Sequence, residues 1–427
     1  MRLAEKERSI LRGTEGVLQQ KIMDTIVRYG EALNAEELVD IEGNGHFSIS
    51  SPAPGTSLPM EMLDELADAG LKTKYPFTLD PYAPLDFENL ALTSEQERLF
   101  REMFHEVPRY HSGMLELGLT GRQGYTCSCY LPEVGNIPKR DCVVAWSESS
   151  CVIYANSVLG ARTHRNAAIL DILSNIAGKT PLCGLLTEEG RKASWLVELK
   201  TSSLPHPQLL GGAIGKKVQE DIPFITGIDS FLGTEINEPA VNYLKEMGAA
   251  CAALGAVGLY HADNLTPEAK EKGRDILKSD NKRYVIDDSE MEMLLRSYPV
   301  MWEDPGAKPQ KCIIGCPHLS IRQLHLWAEK IRGRLSAAGR KEAAIPTILC
   351  SSLQGIEEFR NSGEPFDRIQ SAGVLLSAMC AEDYMRNELC AQEAVVTNSN
   401  KLRAFTTARF FPDDHLLEII AEGEMPS

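Results

Sequence analysis

Apolar residues along this chain recur in two rhythms, one helical and one of short runs. Between residues 15 and 34, Val17, Ile22, Ile26, Val27 and Leu33 return roughly on one face and predict an amphipathic helix. A short helix is expected over 60–69, closed by Gly70, and a mainly helical stretch over 94–118, broken at Pro108. Brief strands are expected at 37–41, 73–79, 143–146, 195–199 and 256–260. Residues 209–218 carry Gly211, Gly212 and Gly215 and read as a helix that packs closely. Leu210 and Lys217 spoil a phosphate-loop reading of the same stretch. An Ala-rich helix follows over 239–255, then a polar, largely helical connection over 267–295.

From Pro309 the alternation becomes regular: strand 311–315, helix 317–334, strand 345–350, helix 353–360, strand 373–377, a turn at Met379-Cys380, and strand 394–397. Such a run predicts a parallel α/β unit, in which ligands collect at the carboxyl ends of strands. Cys316, Cys380 and Asn398-Ser399 stand at three such ends. Pro317 suits a first helical position, which puts Cys316 at the N-cap, where the helix dipole lowers a thiol pKa. A thiolate there can hold a metal or an anion; the plainer reading is a small buried hydrophobe that caps the helix.

At 427 residues, 43% hydrophobic and 24% charged, the chain suits a globular protein of more than one domain. Three regions are expected: 1–140, an N-terminal α/β region with the His46 loop and Cys129; 141–308, a central α/β region rich in Ser, Asn and Arg; and 309–427, a C-terminal α/β domain with Cys316 and Cys380. The balance of 44 Lys+Arg against 60 Asp+Glu, a net −16, speaks against a nucleic-acid surface. Eleven scattered cysteines point to a reducing compartment. The N-terminus lacks the apolar core of a signal peptide, and the small-apolar run 248–260 is too short to span a bilayer. A cytoplasmic protein with no membrane partner is expected.

Candidate chemistry gathers in a few places. Gly43-Asn44-Gly45-His46-Phe47-Ser48 makes a loop that can bring backbone, His46 and Ser48 against a ligand, or else a plain turn. Cys127-Ser128-Cys129 lies in a segment bounded by Pro and Gly. Between Trp146 and Asn166, Glu148 either caps a helix or serves as an acid–base carboxylate beside Ser149. Asn156 and Ser157 offer hydrogen bonds, and Arg162 could clamp a carboxylate or phosphate. His318, Ser399 and Lys401 complete the candidate substrate contacts.

Taken in order, Thr126-Cys127-Ser128-Cys129 with Gly135-Asn136, Trp146–Ser150, Asn156–Arg162, Gly315–His318, and Val396–Ser399 with Lys401 resemble the large subunit of aconitase X. The resemblance covers essentially the whole chain and implies a multi-domain α/β fold, with parallel units packed around a central cluster cleft. It implies a hydro-lyase that dehydrates a small hydroxy acid, with cis-3-hydroxy-L-proline first and mevalonate 5-phosphate as the alternative. The family's metal ligands fall on Cys129, Cys316 and Cys380; Cys129 is preferred to Cys127 by its spacing to Gly135. They imply an iron–sulfur cluster, 4Fe–4S or 2Fe–2S, or mononuclear iron. A separate small swivelling-domain subunit, forming a heterodimer, is implied to bring the general base, a serine.

The sequence departs from the family at Asn44-Gly45-His46, at Ser51-Pro-Ala-Pro-Gly55 and at Leu402–Phe405, all where the family contacts substrate. Two readings from other classes compete. One is a structural zinc site made by Cys127, Cys129, Cys312 and Cys316, which the strand separating Cys312 from Cys316 disfavours. The other is a non-catalytic scaffold, which the intact ligand set disfavours.

Overall fold

The structure, a computed structural model, describes residues 1–49, 51 and 59–426. The Ser-Pro-Ala-Pro-Gly departure therefore lies almost wholly outside the described residues. The first amphipathic pattern becomes the helix Val17–Ala32, which buries Ile22, Met23, Ile26 and Val27. These join Phe47, Phe77, Tyr110 and Ile172 in one apolar core. Two short parallel strands, Gly45–Phe47 and Phe77–Leu79, run through that core side by side. The stretch 94–118 forms two helices, Ser94–Met103 and Val107–Leu117. The chain breaks between them rather than at Pro108, because Pro108 occupies the first turn of the second helix, where no N–H is needed.

A parallel sheet of four strands follows, in the order His261–Ala262, Pro223–Thr226, Ala193–Leu199, Leu277–Ile286. Its last strand falls inside what reads as a helical connection. Leu277–Ile286 lies at the sheet edge and is mostly exposed, so it needs no apolar alternation, and its charged residues protect the open edge. The helices Pro207–Val218 and Glu238–Gly255 pack against each other at backbone contact. A Cβ on Gly211 or Gly255 would collide with the carbonyl oxygens of Met247 and Gly215 respectively, so the glycines permit the approach.

The C-terminal unit is a five-stranded, all-parallel sheet in the order Val374–Ser377, Thr347–Ser351, Lys311–Leu319, Val395–Thr397, Arg409–Phe410. The expected α/β class and parallel sheets are present. One detail differs and it matters for the site. Strand Lys311–Leu319 continues past Cys316 and Pro317, whose peptide bond is cis, and the helix starts only at Ile321. Ser320 is the N-cap, accepting from Gln323 N in a capping box. Cys316 therefore sits in a strand and not at a helix end.

Candidate active site and metal centre

The site forms where the first core meets the C-terminal sheet. His46, on strand Gly45–Phe47, is fully buried, and its Nδ1 lies 2.8 Å from Thr78 Oγ1 on the neighbouring strand. Asn136 Nδ2 donates to that hydroxyl (2.9 Å) and to Gly45 O (3.0 Å), tying the Gly135-Asn136 turn to the histidine loop. Cys129 Sγ lies 3.6 Å from Cys151 Sγ. Donor atoms of His46, Cys129 and Cys151 all lie within 4.8 Å of one another, as do those of His46, Asp80 and Glu148. Burial pushes the Cys129 thiol up, but the Cys151 thiol and the His46 ring outweigh it and hold it at about 6.

Glu148 does two jobs at once. As N-cap of the helix Ser149–Tyr154, its Oε2 accepts from Cys151 N and Ser150 Oγ, each at 2.6 Å. Its Oε1 accepts from Lys401 Nζ at 2.9 Å and from Ser149 Oγ at 3.2 Å. Burial alone would raise this carboxyl; the Lys401 charge and the Ser150 hydrogen bond hold it at about 2. Lys401 also reaches Glu382 at 3.5 Å, and the two carboxylates keep its ammonium well above the ordinary lysine range despite burial. Glu382 Oε1 in turn lies 4.0 Å from Cys316 Sγ. Glu382 also lines a cavity of about 360 Å³ with Ser48, Asp80, Cys380, Asp383 and Arg386.

The structure thus brings His46, Cys129, Glu148, Ser149, Lys401 and Cys316 along one run of close polar contacts, while Ser48 and Cys380 line the adjoining cavity with Glu382. Among the described residues, no group of donors within 4.8 Å contains Cys316 or Cys380, and none unites Cys127, Cys129, Cys312 and Cys316 as a zinc site would require. The Cys316 thiol is not depressed. Burial and the Glu382 carboxylate push it up to about 12, and the helix that follows starts only at Ile321, so Cys316 does not cap it. Cys380, by contrast, does precede a short helix, Ala381–Tyr384, yet burial and the Asp383 and Glu382 carboxylates push its thiol well up too.

Other candidates hold the scaffold instead. Arg162 points to Glu188, Asp141 and the Leu186 carbonyl, so its charge is spent on a carboxylate pair away from the cysteines. Asn156 is fully engaged by Thr163, Gly258 and Arg191, and Ser157 Oγ accepts from Tyr260 N. Ser399 Oγ donates to Cys316 O and caps Leu402 N. His318 is locked by Thr126 Oγ1 and Met379 O, while buried Lys245 donates to its carbonyl at 2.6 Å. Ser399 and His318 thus brace the Cys316 segment, and none of these five residues lines the cavity. Asp80, Cys151 and Glu382 were not singled out by sequence. Only Asp80, at the end of a strand, carried a cue.

Two buried donor atoms here have no partner, His46 Nε2 and Asp80 Oδ1. Unpaired buried polar atoms beside thiols are what a metal group would satisfy, so the residues fit one.

The chain matches the family models described as aconitase X first domain, over residues 1–189, and aconitase X second domain, over 193–296. It is 32% identical over 354 residues to the phosphomevalonate dehydratase large subunit of Thermococcus kodakarensis, covering 82% of this chain and 81% of that one. It is 28% identical over 371 residues to the cis-3-hydroxy-L-proline dehydratase of Hypocrea jecorina, covering 83% of this chain and 57% of that one. The crystal structure of Thermococcus kodakaraensis aconitase X in its holo form superposes with a TM-score of 0.79 at 26% identity, covering 99% of this chain and 100% of that one. Fold, cleft and these likenesses define a hydro-lyase. The chain belongs to the aconitase X family. Among the described residues no helix is long and apolar enough to cross a membrane.

Proposed function

We propose that this chain is the large subunit of a dehydratase acting on cis-3-hydroxy-L-proline, partnered by a small swivelling-domain subunit. Cys129, Cys316 and Cys380 would hold an iron–sulfur cluster, 4Fe–4S or 2Fe–2S, or a single iron. When bound, iron supplies Lewis-acid polarisation of the departing hydroxyl. The chain's own residues do the rest. The Glu148–Lys401 pair keeps a fixed ammonium beside the centre, and Ser149 Oγ, bonded to Glu148 Oε1, can hold or pass a proton there. The base that removes the substrate proton is expected on the small subunit.

One observation carries the choice of substrate: the charge of the cavity wall. Three carboxyls, Asp80, Glu382 and Asp383, face one guanidinium, Arg386. Arg386 is already paired with Asp383 at 3.3 Å, so its charge is partly spent. Burial pushes Asp80 well up and Asp383 to about 6, carboxyls that a substrate ammonium would draw back toward the ionised form. A zwitterionic amino acid supplies an ammonium for the carboxyls and a carboxylate for Arg386. A phosphate dianion would meet repulsion on the same wall. The second reading is mevalonate 5-phosphate, favoured by the higher identity and fuller coverage of the phosphomevalonate dehydratase relatives. The experiment is to reconstitute the chain with iron and sulfide, add the small subunit, and compare kcat/KM on both compounds. Turnover of hydroxyproline is expected, lost in Cys316→Ala and Cys380→Ala together with iron. Turnover of mevalonate 5-phosphate alone would refute the choice.

A further inference from the structure

We infer that Cys151 is a metal ligand, and that His46, Cys129 and Cys151 form a buried three-donor pocket for one soft divalent cation, Zn²⁺ or Fe²⁺. The inference deepens the reading of this centre as a metal site and rests on it.

Four observations carry it. The three donor atoms lie within 4.8 Å of one another, and all three side chains are fully buried. The two sulfurs are 3.6 Å apart. A tetrahedral ion with metal–sulfur bonds near 2.3 Å spaces its two sulfurs about 3.8 Å apart. The His46 ring is oriented for the task. Nδ1 is held by Thr78 Oγ1, itself fixed by Gly45 O and Asn136 Nδ2, and Nε2 is left without a partner. Ligand histidines are aimed in this way by the bond at their other nitrogen. Two thiolates and an imidazole suit zinc or ferrous iron and not magnesium or calcium. Cys151 Sγ also lies 3.3 Å from Cys127 O. That is a weak contact its thiol proton makes in the metal-free chain and gives up, with the proton, on ligation. Asp80, grouped with His46 and lining the cavity, has an Oδ1 without a partner.

The test is a Co²⁺ titration of the metal-free, reduced chain, followed by thiolate-to-cobalt charge transfer in the near ultraviolet. One equivalent should bind with a two-thiolate band. Cys151→Ser, whose fold is checked by circular dichroism, should lose about half the band. Its affinity should fall by more than the roughly 10- to 100-fold typical of losing an outer-shell partner. Cys142→Ala, at a half-buried thiol outside this group of donors, should change neither. A wild-type band that Cys151→Ser leaves intact, or no thiolate band at all, overturns the inference. If iron and sulfide still load through Cys316 and Cys380 in that case, the dehydratase reading stands on its own. If cobalt binds as expected but no iron-dependent dehydration follows, only the dehydratase reading fails.

Discussion

Replacing Lys401 by Met tests the electrostatic centre of the site. The ammonium pairs with Glu148 at 2.9 Å, and the two side chains are only 12% and 3% exposed. Removing it leaves a carboxylate that burial already works against. Against burial, Lys401 together with the Ser150 hydrogen bond holds Glu148 at about 2 instead of the ordinary 4.5, which sets the scale of the pairing at about 3 kcal/mol at 1.36 kcal/mol per pH unit. Breaking one side of a buried pair costs about 3–5 kcal/mol by general experience, which agrees. A lowered carboxyl stabilises the fold above pH 4.5, and the effect is lost as pH falls toward 2. The gap between wild type and Lys401→Met should therefore narrow below about pH 4.5. Urea unfolding at pH 7 should show a loss of about 3 kcal/mol for Lys401→Met. The double variant Lys401→Met/Glu148→Gln should recover at least half of it, because Gln keeps the Ser150 and Cys151 contacts without the stranded charge. A loss below about 1 kcal/mol, or a double variant as unstable as the sum of the singles, would refute the reasoning.

Two further outcomes follow from the fold. Burial pushes His261 down from 6.5 to about 4, so the folded protein keeps it neutral while the unfolded chain takes up a proton. Stability from this residue is full above about pH 6.5 and falls as the pH drops; it should account for about 2.5 kcal/mol between pH 7.5 and 4.5, a slope that His261→Gln flattens in urea titrations. Gly255→Ala should push the helices Pro207–Val218 and Glu238–Gly255 apart at the Gly215 carbonyl and cost about 1–3 kcal/mol of unfolding free energy, whereas Ala at exposed Gly333, inside the helix Ile321–Ala337 with open space around it, should stabilise by about 0.5–1 kcal/mol.

Local patterns carried the architecture. The alternation after Pro309 and the glycine spacing at 211–215 follow from periodicity and side-chain size, and both reappear as sheet, helix and close packing. What depended on distant partners was not legible. Pro317 reads locally as a helix start, yet parallel pairing with Thr347–Ser351 carries the strand through it to Leu319. Arg162 reads as a free clamp, but Glu188, 26 residues on, takes its charge. Cys151 reads as one more buried thiol, and only the fold sets it beside Cys129 and His46. Cys316 and Cys380 stood out as strand-end positions, the resemblance added their role as ligands, and only the fold sets Glu382 between the Cys316 thiol and the cavity that Cys380 lines.

The Glu148–Lys401 contact also sets a clock on biosynthesis. The two residues are 253 positions apart. At about 5–20 residues per second, roughly 10–50 s pass between their emergence from the ribosome. Through that interval Glu148, Ser149 and Cys129 have been made but lack the ammonium that lets the carboxylate be enclosed. The amino-terminal half lacks the partner that lets it close around its own glutamate, so any metal delivered during translation would meet open, oxidisable thiols. Loading the centre is thus a task for the finished chain.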